Sequence, residues 1–386
     1  MNARERFVNY MHFRKVDRVP FYEWFPCWGE TLLRWYEEGL PKKPRMYNLF
    51  LADSGFTLNW ALPTSGFAPL QDLTEYFGFD ERVTVPIDLG PIPRFVERVL
   101  EEREDYVIEI DSAGVKRKNP KSATSMPQFL EFPVKDENDF EKIKKRYDPH
   151  DIRRYPKNWS EELIEYYNNL EVPVGVSMAG FFGTARNLMG LERLLISFYK
   201  KPKLVKSIMD FWADFLIETF RKVAEEIKLD YVSFWEDLAY KKGPLVSPRL
   251  FREFMLPNYQ KVTSFFRKYG VDIFMVDTDG NMNALIPLFL EGGVNCLFPL
   301  EVAAGVNAVE LRKKYGKKLL LIGNIDKGAL IKGKEHIKQE VSSKVPPLVK
   351  EGGYIPSVDH LVPPDVSFEN YSYYISLLKK YLGIED

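Results

Sequence analysis

Two aspartates set one residue apart pose the first chemical question. They close the run V-D-I-F-M-V-D-T-D-G-N over residues 271–281, which breaks at Gly280. A short apolar run bounded by a turn signal reads as a buried strand. Side chains at i and i+2 share a strand face, so Asp277 and Asp279 are expected side by side at its carboxyl end. Two carboxylates held close resist double ionisation. Such a pair binds a proton or a cation, or pairs with a base. Asn281 is placed to cap a following helix.

Other apolar runs end in similar chemistry. Glu236 and Asp237 follow Y-V-S-F-W, and Asp359 and His360 follow Y-I-P-S-V. Asp88 ends V-P-I-D, Glu301 follows another run, and Asn324 and Asp326 lie in G-N-I-D. Tyr22, Glu23, Trp24 and Phe25 form an early run, while Met178 is followed by Phe181, Phe182 and, a turn later, Arg186. Trp235 precedes the Glu236-Asp237 pair. Collected at one mouth, these residues give acids and a base at Asp237, Asp277, Asp279, His360 and Glu236. A substrate surface would come from Trp24, Phe25, Asp88, Phe181, Phe182, Arg186, Trp235, Asn324 and Asp359.

Each of these also admits a structural reading. The aspartates and Asn324 suit turns and caps, the aromatics suit a core, and a single histidine is often a structural donor. Asp277, Asp279 and His360 could also supply an oxygen and nitrogen set for a divalent metal such as zinc. Neither of the two cysteines, Cys27 and Cys296, sits in a C-x-x-C, and no H-x-C is present, which excludes a thiolate zinc site. No activating base lies near Cys27 in the sequence, so a nucleophilic role for it is not expected.

A converging set of strand ends requires a particular framework. Strands are expected at 21–25, 83–88, 173–178, 230–235, 271–277, 294–298, 318–325 and 353–358. Helices are expected at 192–200, 203–228, 248–269, 282–290, 307–315, 335–349 and 366–382, with earlier ones at 3–14, 28–38, 43–53 and 136–146. Strands alternating with helices predict an α/β fold, a (β/α)8 barrel with an N-terminal helical extension. An open doubly wound sheet shares the rhythm, but no Gly-rich phosphate loop follows the first run. Residues 91–135 interrupt the rhythm with a small β-hairpin excursion, suited to a lid. The 386 residues are expected to form one barrel domain spanning 1–386.

Composition narrows the function classes. A net charge of −1 leaves no electrostatic footprint for nucleic acid. No apolar run is long enough for a membrane span. The start M-N-A-R-E-R-F lacks the apolar core of a signal peptide, and the scarce cysteines fit a reducing compartment. A cytoplasmic protein acting on a small molecule is expected. Aromatic residues make up 15% of the chain, enough to fill a core and line a pocket for a flat ligand.

Four segments carry a resemblance. They are R-E-R-F…D-R-V-P at 4–20, S-P-R-L-F-R-E-F-M-L-P at 247–257, G-N-I-D-K-G-A-L at 323–330 and V-P-P-D-V-S-F-E-N at 362–370. In order and spacing they resemble the uroporphyrinogen decarboxylase superfamily, which also contains cobamide-dependent methyltransferases. The resemblance implies a (β/α)8 barrel over nearly the whole chain, and a homodimer. In true decarboxylases an arginine-rich loop after the first strand neutralises a polyanionic tetrapyrrole. Here that region reads W-F-P-C-W-G-E-T, with no arginine before Arg34. Asp88 resembles the pyrrole-binding aspartate and His360 the late histidine. The expected tyrosine falls near Leu188 and the expected serine at Asp237.

The methyltransferase branch binds zinc through H-x-C-G-N and a late cysteine. The first resembles Asp277-Thr278-Asp279-Gly280-Asn281, with both ligands replaced by aspartate; the second falls near Asp359-His360. The resemblance therefore implies a methyltransferase without thiolate zinc. It would move a methyl group from an O- or N-methylated, phenyl-ether-like substrate to a corrinoid protein, through a mouth wide enough to admit the cobalamin. A decarboxylase of a tetrapyrrole or smaller acid, needing no cofactor, is the alternative, and converging basic groups would mark it. A non-enzymatic binding barrel is a second alternative, in which the carboxylates would be turn caps.

Overall fold

The structure, a computed structural model, describes residues 1–25, 27–41, 71–121 and 127–384. The helix expected at 43–53 lies outside these residues. Among the described residues, seven strands form one curled parallel sheet. They are β1 (Val83–Thr84), β2 (Val174–Ala179), β3 (Tyr231–Trp235), β4 (Phe274–Asp277), β5 (Cys296–Phe298), β6 (Leu320–Ile325) and β7 (Tyr354–Val358), and each pairs with the next. Helices fill the connections, so the architecture is the expected α/β barrel.

The first expected strand, 21–25, is extended but joins no ladder. Its backbone is held largely by side chains. Phe21 N donates to Asp80 Oδ2 (2.8 Å), and Trp24 N donates to Ser357 Oγ of β7 (3.0 Å). Asp80 N returns a bond to Phe21 O (2.7 Å). The segment thus fills the eighth place between β7 and the approach to β1. The expected strand 83–88 is also short. Val85 N still reaches Gly175 O (2.9 Å), but Pro86 has no N–H to continue.

Alternation along the strands sorts their side chains. Tyr231, Ile273, Met275, Cys296 and Phe298 belong to an inner cluster with Phe7 and Trp24. Val232, Phe234, Phe274, Val276 and Leu297 belong to an outer cluster with the surrounding helices. The two-residue period of a strand accounts for the division. Helix Ala3–Met11 seals the lower end: Phe7 stacks on Trp24 and meets Tyr231, with ring centroids 6.5 and 6.0 Å apart. Arg4 of that helix pairs with Asp230 at the entry to β3 (2.8 Å).

The excursion is larger than the expected hairpin. Tyr106–Ile110 and Lys116–Pro120 form a hairpin, but Arg98–Glu102 and Gln128–Glu131 flank them in a four-stranded antiparallel sheet. The outer strands, R-V-L-E-E and Q-F-L-E, are almost wholly exposed and carry their apolar residues side by side, and so lack the apolar alternation that marks a strand in sequence. Buried Arg154 staples the base of the excursion through the carbonyls of Asp88, Gly90 and Asp148. No helix among the described residues is long and apolar enough to cross a membrane.

Candidate active site

Register brings the first chemical group into place. Asp277 pairs across the ladder with Trp235 on one side and Phe298 on the other. All three continue the inner rows, so they form the top layer of the barrel interior. The carboxyl end of a barrel sheet is where its loops build sites. Thr278, one residue on, is fully buried and accepts from Leu238 N (3.1 Å), which pins the loop after β3. Gly280 takes φ +78°, and a Cβ there would lie 2.6 Å from the Tyr240 backbone. Its N–H donates to Glu301 Oε2 (2.9 Å). A glycine is required at this turn.

Asp279 then reaches the opposite wall. Its Oδ1 lies 3.3 Å from His360 Nε2. His360 stacks on Phe25 at 5.4 Å between centroids, and Phe25 meets Phe298 at 5.7 Å. Burial lowers the pKa of the imidazole, but the hydrogen bond and charge of Asp279 outweigh it and hold His360 above its ordinary value. On the other side, Arg186 Nη1 donates to Asp237 Oδ2 (2.8 Å) and Asp237 O (3.2 Å). The guanidinium lies 5.3 Å from the Trp235 ring centroid.

Asp277 sits between these two pairs. Among the described residues its carboxyl has no hydrogen-bond or ion-pair partner. Burial, then the charges of Asp279 and Asp237, push its pKa well above the usual carboxylate range. It is therefore disposed to hold a proton between the ion-paired Asp279 and Asp237. Asp277 caps nothing, and Asn281 does not cap the next helix either. That helix begins at Ile286, while Asn281 accepts from Asn283 N (3.1 Å) and donates to Ala304 O (3.0 Å).

The structure thus brings together Asp277, Asp279, His360, Asp237, Arg186, Trp235 and Phe25. It places the remaining expected site residues in the framework. Glu236 follows the outer row, is fully buried, and takes N–H bonds from Phe181 (2.9 Å) and Gly183 (2.8 Å) as well as the Tyr259 hydroxyl. It caps helix Phe181–Met189, and burial raises its pKa to about 7. Phe181 and Phe182 are core. Trp24 lies in the inner cluster beneath the Arg82 guanidinium.

Asn324 spends its side chain on Ala308 N, Leu300 O and Val306 O, at 2.8, 2.7 and 2.9 Å. Asp359 is fully buried and accepts from Val302 N (2.9 Å) and Lys327 N (3.0 Å). Asp88 is clamped by Arg94 Nη2, 2.8 Å from each carboxylate oxygen, and by Gly90 N. Phe298 and Lys327, which carry no assignment in the sequence reading, border the site. Lys327 Nζ bonds Glu301 Oε1 (3.3 Å). The strand-end rule finds Phe298; nothing in the spacing of G-N-I-D-K singles out the lysine.

A thiolate metal centre does not fit these residues. Cys27 and Cys296 are both buried, and burial pushes the Cys27 thiol up to about 12. Among the described residues, no three His, Cys, Asp or Glu side chains group as a metal site.

Comparison with known proteins agrees with the architecture. A methyltransferase from Methanosarcina mazei superposes with a TM-score of 0.62 at 17% identity, over 99% of this chain and 99% of that one. At that identity the likeness concerns the fold. No curated protein matches the sequence. The family described as uroporphyrinogen decarboxylase (URO-D) matches residues 104–381. That match spans well over half of the chain and covers all the strands from β2 to β7 and most of the mouth, so the protein belongs to the uroporphyrinogen decarboxylase family.

Proposed function

We propose that the barrel mouth is the active site of a methyltransferase. It moves a methyl group from a small O- or N-methylated, aromatic substrate to a corrinoid carried by a partner protein. The observation that carries this reading is Asp277, a carboxyl with no hydrogen-bond or ion-pair partner among the described residues, level with Trp235 and Phe298 on the flanking strands and pushed by burial and by Asp279 and Asp237 well above the usual carboxylate range. Breaking a methyl–oxygen bond leaves the electron pair on oxygen, and a proton delivered there makes the departing group neutral. General acid catalysis of this kind contributes roughly 10²–10⁴ in rate. The Asp277 carboxylate left behind faces Asp279 and Asp237, which favours its reprotonation from solvent. The Asp279–His360 pair fixes one wall and Asp237–Arg186 the other.

The acceptor comes from outside the chain in this scheme, because both thiols are buried. A corrinoid, when bound, would supply the methyl-accepting nucleophile. The residues present argue against a tetrapyrrole decarboxylase. A polyanion needs several uncompensated cations, whereas Asp237, Asp277 and Asp279 face this mouth and Arg186 already spends one nitrogen on Asp237. The reading is tested by incubating the protein with methoxylated aromatics or methylamines and cob(I)alamin. Demethylated product is expected. No product from any methyl donor, with carbon dioxide released from uroporphyrinogen instead, would overturn it.

A further inference from the structure

Arg186 is anchored on one side only. Its Nη1 holds both the carboxylate and the carbonyl of Asp237. Nε and Nη2, the side-on fork of the guanidinium, have no hydrogen-bond partner among the described residues. The side chain retains 24% of its exposure, so the guanidinium is not sealed in the core. Its anchor is also fixed. Asp237 sits in the left-handed region at φ 54°, and the next residue, Leu238, is tied to Thr278. The guanidinium is thereby oriented before any ligand arrives.

Three groups then lie in sequence across the site. Arg186 stacks near Trp235, Trp235 neighbours Asp277 in the interior layer, and Asp237 touches Arg186 while its charge reaches Asp277. A fixed guanidinium fork matches a carboxylate bidentately. A neutral ring packed here would strip water from the fork without replacing its bonds, which is costly. An unpaired anion beside Asp237 and Asp279 would be repelled, so only a group that engages the fork is accommodated.

We infer that Arg186 is a substrate-binding residue selecting an aromatic carboxylate: the acid group on the Nε–Nη2 fork, the ring against Trp235, the methylated heteroatom toward Asp277. The substrate class is an O- or N-methylated aromatic carboxylic acid. The assignment of the reacting end rests on the methyl-transfer reading; the carboxylate subsite does not.

The test is binding, independent of turnover. Benzoate and its neutral isostere benzamide are titrated calorimetrically into the wild-type protein, Arg186→Gln and Arg186→Lys. A charge-assisted bidentate contact predicts benzoate binding roughly 10- to 100-fold tighter than benzamide in the wild type. Arg186→Gln removes the preference, and Arg186→Lys, a point charge without a fork, restores part of it. Equal wild-type affinity for the two ligands overturns the proposal, as does a preference that survives Arg186→Gln. The wild-type comparison decides the matter even if the variants do not fold. A benzoate preference without demethylation of 4-methoxybenzoate in the presence of cob(I)alamin leaves the subsite standing and removes the methyl-transfer reading. Demethylation of neutral anisole as fast as of 4-methoxybenzoate does the reverse.

Discussion

Replacing Glu23 by glutamine should change how stability depends on pH. Glu23 is almost fully buried. Its Oε1 accepts from the Ser357 hydroxyl and from Val358 N (3.1 Å), and its Oε2 accepts from the Tyr371 hydroxyl (3.1 Å). Burial raises its pKa from 4.5 to about 7, more than these bonds lower it. The folded chain therefore holds a proton that the unfolded chain releases. Stability from this proton is fully present below the unfolded value and is lost as pH rises through about 7. The displacement corresponds to about 3 kcal/mol.

Glutamine keeps an oxygen for Ser357 and Val358 and turns an amide N–H toward the Tyr371 oxygen, with nothing left to ionise. Urea unfolding followed by tryptophan fluorescence at pH 4 and pH 8 measures the difference. Glu23→Gln should match the wild type at the lower pH and exceed it by about 3 kcal/mol at the higher. Parallel stability curves for the two proteins would refute the reasoning, because the carboxyl would then ionise alike in both states.

Other expectations follow from the same geometry. Asp277→Asn keeps the shape and removes the proton, so kcat should fall roughly 10²- to 10⁴-fold with little change in KM. The wild-type rate should fall as pH rises past the raised value of this carboxyl, and a rate climbing through that range would contradict its role as an acid. His360 gains its proton affinity from Asp279, so the stabilisation is complete below the ordinary imidazole value and lost as pH rises through the raised one. Thermal melting at pH 6 and pH 9 should therefore show His360→Asn most destabilised, relative to wild type, at pH 6. Asn324→Ala strands three buried backbone groups and should cost roughly 2–4 kcal/mol in urea unfolding. Asn324→Gly, which relieves the left-handed φ of 69° without restoring those bonds, should remain well below wild type.

The parts of this molecule legible in its sequence are those written by period. The buried strands are continuous apolar runs, so their positions and parallel order followed directly. Period two also put Asp277 and Asp279 on one face at the carboxyl end of their strand, and the structure shows that face of Asp277 to be the interior one. Carried one step further, the same rule separates Trp235 from Glu236: the tryptophan continues inward and the glutamate outward, onto the N-terminus of helix Phe181–Met189. Strand-end position alone does not make that distinction. Asn324, Asp359 and Asp88 were illegible for another reason. Their partners are backbone groups or an arginine in loops whose path the sequence pattern does not state. The segment 21–25 looked like a strand because it is extended and buried, but a ladder also requires backbone partners in register, and here many partners are side chains.

That eighth stave makes the barrel a ring with a clasp. Releasing it breaks the bonds to Asp80 and Ser357 and those of Glu23 to Val358 and Tyr371, and leaves the seven-stranded ladder intact. Local opening is cheapest where the fewest bonds are lost. Amide hydrogens at Phe21 and Trp24 should thus exchange ahead of those in β3 and β4. The clasp ends at Phe25, the ring stacked on His360. When it loosens, one aromatic wall withdraws while Asp277 keeps its place on the sheet and Asp237 and Asp279 theirs in the loops that follow it. The aromatic wall at Phe25 and the sheet-borne Asp277 thus belong to mechanically separate parts of one barrel.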